Sequence, residues 1–219
     1  MREPVVLTWS GGKDSALALY YFKNSSQYQV RYLLTSITKD YNRISMHGVR
    51  TILLDSQSKS LGLTIEKIFI SKNSSNEEYE NQMREKLSFY QCQGISSVAF
   101  GDLFLEDIRK YREQNLSKIT MRGIFPLWKK NTYELAHQFI KLGFKAIITC
   151  GDSQVLDKKF VGRYFDHQFL SDLPLGVDPC GENGEFHTFV FDGPIFNEAV
   201  PFETGAVIED GGCCFLQLK

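Results

Sequence analysis

Short apolar runs alternate with longer amphipathic segments along the first two thirds of this chain. Runs rich in β-branched and aromatic residues are typical of buried strands, whereas apolar positions three and four residues apart are typical of helices. The pattern predicts strands at 4–9, 28–37, 64–70, 97–101 and 145–150. Between them it predicts helices at 14–24, 48–61, 76–93, 104–117 and 131–142.

Strands that are separated by helices of this length pair in parallel through right-handed crossovers, and the helices cover both faces of the sheet. The alternation therefore predicts an α/β fold with a doubly wound, mostly parallel sheet. In such sheets a ligand binds beyond the carboxyl ends of the strands, near the point where the strand order reverses. Polar residues that follow the strands are therefore the candidate site.

The pattern changes after residue 150. The segment LPLGVDPCGENGEF, at 173–186, holds two prolines and three glycines, and the strand-like run FHTFVF overlaps its end. We expect a smaller C-terminal α/β subdomain that packs against the strand ends. The predicted domains are 1–126 and 127–219.

Composition narrows the class of protein. A chain of 219 residues with 42% hydrophobic residues can bury a sizeable core. Its net charge of -1 provides no general attraction to nucleic acid or to an acidic membrane. No apolar run reaches the length of a membrane span and no basic-then-apolar leader begins the chain, so we expect a cytoplasmic protein. Five cysteines without C-x-x-C spacing indicate neither a disulfide framework nor a zinc site.

The segment TWSGGKDSALAL, at 8–19, joins the first predicted strand to the first helix. Such a turn directs backbone N–H groups to one point at the positive end of the helix dipole, which suits phosphate oxygens. Gly11 and Gly12 allow close approach, and Lys13 adds a cation. It is not a Walker loop, because Leu7 stands five positions before Gly12 and an acid, Asp14, follows the lysine. The structural alternative is an ordinary strand-to-helix turn.

The six residues Ser10 to Ser15, S-G-G-K-D-S, resemble the PP-loop of the ATP pyrophosphatase, or adenine nucleotide alpha hydrolase-like, superfamily at every position. The resemblance implies that ATP is split between its α and β phosphates with Mg²⁺ present. It assigns ATP binding to the predicted domain 1–126 and specifically to Ser10, Gly11, Gly12, Lys13, Asp14 and Ser15. Asp14 is the candidate ligand of Mg²⁺, and orientation of the loop is its alternative role.

Four further stretches together resemble the diphthine–ammonia ligase family, most closely its bacterial-type branch: RISMHGVR (43–50), FGDLFLEDIRKYRE (100–113), FPLW (125–128) and DPCGENGEFHTFVFDGP (178–194). The resemblance implies an AMP-forming C–N ligase. An acceptor carboxylate attacks the α-phosphate, pyrophosphate leaves, and ammonia displaces AMP. Eukaryotic and archaeal members amidate diphthine on elongation factor 2, whereas the acceptor of the bacterial-type branch stays open.

Further residues are assigned to the nucleotide on position and resemblance. Thr35 and Ser36 end the second strand, His47 follows a strand-end loop, and the pair Gly101 and Asp102 ends the fourth strand. Each has a structural alternative, namely an ordinary strand-end residue, a locally packed histidine or, for Asp102, a helix N-cap.

The stretch from Cys180 to Thr188 carries two carboxylates three residues apart, glycines at a turn and a His-Thr pair. Acids and a histidine buried together need a partner charge, a metal or a substrate, although a solvent-exposed turn is the alternative. We assign the acceptor side to Glu182, Asn183, Glu185, His187 and Thr188. The predicted catalytic residues are Lys13, Asp14, Glu182 and Glu185. Eukaryotic members commonly carry Tyr-Glu-Thr where this chain has Phe-His-Thr at 186–188.

Two other classes of function stay open. One is an adenine-nucleotide sensor, or a plain ATP hydrolase, without an acceptor. The other is tRNA thiolation with Cys180 as nucleophile, although paired cysteines and a fused RNA-binding domain are not visible. The acids and bases Glu106, Asp107, Arg109 and Arg112 are interpreted as a solvated helix face. The expected partners are ATP, ammonium and a carboxylate substrate, and a homo-oligomer stays open.

Overall fold

The computed structural model describes residues 1–40 and 49–219, together with the backbone of 43–44. Its strands are β1 (Glu3–Thr8), β2 (Tyr28–Thr38), β3 (Arg43–Ile44), β4 (Thr64–Ile70), β5 (Ser97–Ala99), β6 (Arg122–Ile124), β7 (Lys145–Asp152), β8 (Phe186–Asp192), β9 (Thr204–Asp210) and β10 (Cys213–Leu218). Its α-helices are α1 (Lys13–Lys23), α2 (Thr51–Leu61), α3 (Asn76–Cys92), α4 (Glu106–Ser117), α5 (Thr132–Lys141) and α6 (His167–Asp172). A short 3₁₀ helix spans Lys158–Phe160.

The main sheet has its parallel strands in the order β4-β2-β1-β5-β6, and β3 pairs antiparallel with the end of β2. The chain moves outward from β1 through β2 to β4 and then returns to the other side of β1 with β5. The strand order therefore reverses between β1 and β5, and the crevice beyond their carboxyl ends is where a ligand binds in such a sheet. The predicted α/β fold with a doubly wound, mostly parallel sheet is confirmed.

The second sheet is antiparallel, with the order β8-β7-β10-β9. The sequence places the strand at 145–150 with the parallel strands, and that prediction is wrong. Six consecutive residues of β7, Ala146 to Gly151, are buried, and a continuous apolar run does not show which sheet a strand joins. Strand β6 was not predicted, because it has only three residues and a glycine at its centre.

Alternate residues of β1 point to opposite faces of the main sheet. Val6 belongs to a cluster that packs under α3 and α4, whereas Val5 and Leu7 belong to a larger cluster. That larger cluster also contains Phe139 of α5 and Phe189 of β8. The two sheets therefore share one core around α1, which brings the segment before β8 beside the first turn of α1. The division into domains 1–126 and 127–219 stays a prediction.

Candidate functional site

A cavity of about 580 Å³ lies at the carboxyl ends of β1, β2 and β5. This volume falls within the range of roughly 300–1,000 Å³ that is usual for small-molecule sites. Its walls come from the first turn of α1, the end of β2, helices α3 and α4, and the segment before β8. The sequence-predicted site residues that line it are Ser10, Gly12, Lys13, Asp14, Ser15, Thr35, Ser36, Gly101, Asp102, Glu182, Asn183, His187 and Thr188. His47 lies outside the described residues.

Helix α1 begins at the cavity without a side-chain cap. Its N-cap residue, Gly12, has extended backbone and no side chain with which to cap the first turn. The first helical hydrogen bond runs from Ala16 N to Gly12 O, at 3.1 Å. The N–H groups of Asp14 and Ser15 therefore have no helical acceptor, which leaves donors for an anion at this end of α1.

Gly11 forms the turn before α1 and faces away from the cavity. Its φ of +75° favours glycine, and a Cβ there would meet Gln57 Oε1 at 2.8 Å. Gln57 is fully buried, donates to Gly11 O at 3.0 Å and to Val190 O, and accepts from Trp9 Nε1 at 2.8 Å. It thus joins α2, the loop and β8. Gln57 was not predicted as a site residue, although a glutamine on the apolar stripe of α2 with Leu54 and Leu61 is a signal that marks it.

The C-terminal sheet also holds the loop. Thr188 is buried, and its hydroxyl accepts a hydrogen bond from Lys13 N at 3.0 Å. A Cβ at Gly12 would lie 3.1 Å from Thr188 O, so a larger residue would push β8 and the loop apart by a few tenths of an ångström. The hydroxyl of Ser15 donates to Gly12 O at 2.9 Å. Contacts within the protein therefore hold the loop in this conformation.

Lys13 and Asp14 form an ion pair at the cavity floor, with 2.8 Å between Nζ and Oδ2. Lys13 is only 4% exposed. Burial alone would lower its pKa, but the negative charge of Asp14 contributes to raising that pKa above its ordinary value, so Lys13 is a cation at neutral pH. The other carboxylate oxygen, Asp14 Oδ1, is buried and has no hydrogen-bond partner among the described residues.

Gly101 and Asp102 bring the end of β5 against α1. A Cβ at Gly101 would lie 3.0 Å from the backbone carbon of Asp14, so a larger residue would separate the two elements. The alternative of an N-cap role for Asp102 is wrong, because α4 begins after Leu105. Asp102 instead pairs with Arg112, whose Nε lies 2.8 Å from Oδ2. Burial raises the pKa of Asp102, although Arg112 acts in the opposite direction.

Arg112 was interpreted from the sequence as part of a solvated helix face, and this is wrong. It lines the cavity and lies over the ring of Phe100, with 4.4 Å between the guanidinium carbon and the ring centre. No local sequence pattern relates Arg112 to Asp102, which lies ten residues earlier and outside α4. Arg109, on the same helix, fits the original interpretation, because it pairs with Glu113 four residues later at 2.8 Å.

Glu182 faces the cavity from the segment before β8. Burial, followed by the charge of Asp14, raises its pKa to about 8, with smaller contributions from Asp178 and Asp102. Lys13 acts in the opposite direction. Glu182 therefore carries a proton at neutral pH and titrates near the range in which an enzyme uses a general base.

Glu185 does not line the cavity, and its carboxylate is used inside its own loop. Oε1 accepts from Asp178 N at 3.0 Å and from Asn183 Nδ2 at 2.9 Å, and Oε2 accepts from Asn183 N at 2.9 Å. Burial would raise the pKa of Glu185, but these hydrogen bonds lower it below its ordinary value. Its geometry is that of a residue that shapes the loop and so positions Glu182. Its predicted catalytic and substrate-binding roles stay predictions.

His187 and Cys180 lie close to Lys13. Burial and the charge of Lys13 lower the pKa of His187 to about 4, so its imidazole is neutral at neutral pH. Cys180 is 1% exposed, and its thiol donates to Thr132 O at 3.2 Å. Burial raises the pKa of Cys180 well above its usual range, which keeps it a protonated thiol. The geometry therefore disfavours Cys180 as a sulfur nucleophile.

Within the described ranges, no three histidine, cysteine, aspartate or glutamate side chains are grouped so that they could hold a metal ion. Nor does any helix among the described residues have the length and apolar character to cross a membrane.

Two family models match the chain. The diphthamide synthase N-terminal domain matches residues 3–123, and the diphthamide synthase C-terminal domain matches residues 131–211. Diphthine–ammonia ligase of Bos taurus is 29% identical over 127 residues, which are 55% of this chain and 47% of the bovine one. The Homo sapiens ligase is 29% identical over 120 residues, which are 52% of this chain and 45% of the human one.

The chain thus spans about half the length of the curated relatives that it matches. Among solved structures, the U34-tRNA thiolase NcsA from Methanococcus maripaludis aligns with 64% of this chain and 57% of its own, at 18% identity and a TM-score of 0.39. The two family models together account for nearly all of the sequence. The chain belongs to the diphthamide synthase family.

Proposed function

We propose that this protein is an AMP-forming ligase, which activates a carboxylate with ATP and transfers the acyl group to ammonia. The observation that carries the proposal is the meeting, in one cavity, of the uncapped start of α1 with its Lys13–Asp14 pair and of the buried carboxyl of Glu182. The start of α1 with Lys13 suits phosphate, and the carboxyl of Glu182 suits an amine. The names of the curated relatives support the same reaction class.

The nucleotide half of the proposed site is the first turn of α1. The N–H groups of Asp14 and Ser15 and the ammonium of Lys13 would surround the phosphate chain, and Thr35 and Ser36 at the end of β2 would line the adenosine. As the bond between the α- and β-phosphates breaks, negative charge accumulates on the departing pyrophosphate. Prepositioned donors stabilise that charge without reorganising, and this is the catalytic role of Lys13.

Asp14 fits the role of the protein ligand of Mg²⁺. Its Oδ1 is buried and unpartnered among the described residues, and a magnesium ion that travels with nucleotide needs only one or two carboxylates besides phosphate oxygens. When bound, Mg²⁺ supplies positive charge to the leaving pyrophosphate. The same Asp14 keeps the Lys13 ammonium in place.

The acceptor half is built around Glu182. We place Asp102, which the sequence predicts beside the nucleotide, in this half as well, because it lines the same cavity and pairs with Arg112. A carboxylate oxygen of the acceptor attacks the α-phosphorus, the bond to the β-phosphate breaks, and an acyl adenylate and pyrophosphate form. Ammonia then attacks the acyl carbon, and AMP leaves with the bonding electrons. A cation beside Glu182 lowers the pKa of that carboxyl, so an ammonium ion that binds there favours the carboxylate that removes its proton.

Product analysis tests the proposal. Purified protein is incubated with α-labelled ATP, Mg²⁺ and ammonium, with and without a cell extract as the source of acceptor, and AMP is separated from ADP. We expect AMP that increases with extract and with ammonium. Lys13→Ala should lower the rate by about 100-fold or more, and Glu182→Gln by about 100-fold or more.

Lys141→Ala and Glu203→Gln are the matched controls, because both side chains are exposed and neither lines the cavity. They should form AMP at the wild-type rate. ADP as the product would overturn the proposal. AMP that forms without extract and without ammonium would indicate a plain ATP hydrolase. Saturable AMP binding without turnover under any of these conditions would indicate a nucleotide sensor.

A further inference from the structure

Among the described residues that line the cavity, the cations at neutral pH are Lys13 and Arg112, since His187 is neutral there. Lys13 is paired with Asp14 beside the start of α1, where phosphate would bind. The same cavity holds the carboxyl groups of Asp14, Asp102 and Glu182. A substrate carboxylate that enters this acidic and partly desolvated space requires a cation of its own.

Arg112 is already oriented for that task. Its Nε and Nη2 lie 2.8 and 3.2 Å from the two carboxylate oxygens of Asp102, and its guanidinium lies 4.4 Å from the ring centre of Phe100. These contacts fix the plane of the Arg112 guanidinium. Only the contact from Nη2 to Oδ1 is a hydrogen bond, and Nε is buried without a hydrogen-bond partner among the described residues. A guanidinium has five N–H donors, so donors remain for a second carboxylate, which a guanidinium binds in a bidentate way.

The surface next to Arg112 is apolar. Met83 of α3 and Leu105 and Ile108 at the start of α4 line the same cavity. Leu105 is 37% exposed and Ile108 is 41% exposed, so both present apolar surface that the folded chain itself does not cover. A group that is joined to the bound carboxylate would contact these side chains.

We propose that Arg112 binds the carboxylate of the acceptor, and that the acceptor is a monocarboxylate whose carboxyl group is attached to an apolar chain. This inference rests on the proposed ligase function and assigns its acceptor half-site. Asp102 is then a positioning residue that orients Arg112. Lys13 and the start of α1 serve the nucleotide and not the acceptor.

Calorimetric titration tests the assignment without depending on turnover. The probes are acetate, butyrate, hexanoate and neutral butyramide, titrated into protein that holds Mg²⁺ and the non-hydrolysable nucleotide α,β-methylene-ATP. We expect the carboxylates to bind and butyramide not to bind. Affinity should increase from acetate to hexanoate by roughly three- to fourfold per methylene group, because each methylene contacts the apolar wall.

Arg112→Lys keeps the charge and removes the fork, and it should weaken butyrate binding by about 10- to 100-fold. Its dissociation constant for the nucleotide should not change. In Arg112→Gln, millimolar guanidinium should restore part of the butyrate affinity, which a merely structural role of Arg112 would not produce. Thermal unfolding of each variant checks that it is folded.

Arg109→Lys is the matched control on the same helix. Arg109 lies over the rings of Phe125 and Trp128, at 4.7 and 4.6 Å from their centres, and does not line the cavity. It should bind butyrate as the wild type does. Ile108→Ser should reduce the gain from acetate to hexanoate and leave acetate binding unchanged.

Three results would overturn the assignment: butyrate binding that is equal in wild type and Arg112→Lys, loss of nucleotide binding instead of butyrate binding, or a wild type that binds none of the carboxylates. The ligase proposal is judged separately, by AMP formation. If carboxylates bind through Arg112 but no AMP forms, the half-site stands and the ligase reaction fails. If AMP forms with extract, and the rate depends on the amount of extract in the same way for wild type and Arg112→Lys, the ligase proposal stands and the half-site fails.

Discussion

Replacing Gln57 with leucine should release the loop from Ser10 to Ser15, the proposed phosphate site, from its support. Gln57 is fully buried, and its side-chain amide contacts Trp9, Gly11 and Val190, which belong to three different parts of the chain. Leucine has a similar volume but cannot hydrogen-bond. The loop should then lose its position as well as its stability.

The size of the effect follows from the partners that are left. Trp9 Nε1–H would lose its acceptor inside the core, whereas Gly11 O would keep its bond from Val190 N at 2.9 Å. One orphaned donor and two lost bonds to carbonyl groups correspond to about 2–5 kcal/mol of unfolding free energy. For a chain of this size the Tm should fall by about 5–15 °C.

Thermal unfolding followed by circular dichroism measures the loss of stability. Titration with AMP measures whether the variant loop has lost affinity for the nucleotide. Ser56→Ala is the control on the same helix, because Ser56 is half-buried and its hydroxyl donates to Ile52 O of its own helix, and it should change stability by less than about 0.5 kcal/mol. In a Trp9→Phe background, which lacks the N–H group, Gln57→Leu should cost about 1 kcal/mol less than in the wild type. An unchanged Tm, or equal costs in both backgrounds, would show that Gln57 does not stabilise the loop through its bond to Trp9.

The remaining predictions concern Glu182 and Glu185. AMP formation with hydroxylamine in place of ammonium should increase as the pH rises through about 8, because Glu182 must lose its proton to act as a base, and Glu182→Gln should lack this step. Because the pKa of Glu182 is raised from 4.5 to about 8 in the folded protein, its protonation contributes stability that is fully present below pH 4.5 and is lost as the pH rises through about 8. The Tm should therefore decrease over this range in the wild type. No decrease, or an equal decrease in Glu182→Gln, contradicts this. Glu185→Gln should cost about 1–3 kcal/mol, because an amide NH₂ would face the N–H groups of Asp178 or Asn183. The lowered pKa of Glu185 means that this stabilisation exists above pH 4.5 and is lost as the pH falls below it, so Tm measured against pH should converge for wild type and Glu185→Gln in acid, whereas Glu203→Gln should follow the wild type throughout.

Local sequence determined much of the fold and much of the site. The run before Ser10, the two glycines and the helical spacing after Lys13 encode a strand, a turn and a helix within about fifteen residues, so they can be predicted without tertiary contacts. The same holds for the other strands and helices up to residue 142, except the short strands β3 and β6. Since parallel strands end at one edge of a sheet, the convergence of the residues after β1, β2 and β5 also follows from their order in the chain.

Tertiary structure decided which side chains reach the cavity and which support it. Glu182 and Glu185 stand three apart in one loop, and only the folded loop directs Glu182 into the cavity while Glu185 binds backbone N–H groups. Gln57 and Arg112 looked like an ordinary helix glutamine and a solvated arginine, because their partners come from distant parts of the chain or from across the cavity. The sheet that β7 joins was undetermined for the same reason. Periodicity encodes burial along one element, whereas the partner of a buried polar group is chosen when separate elements pack together.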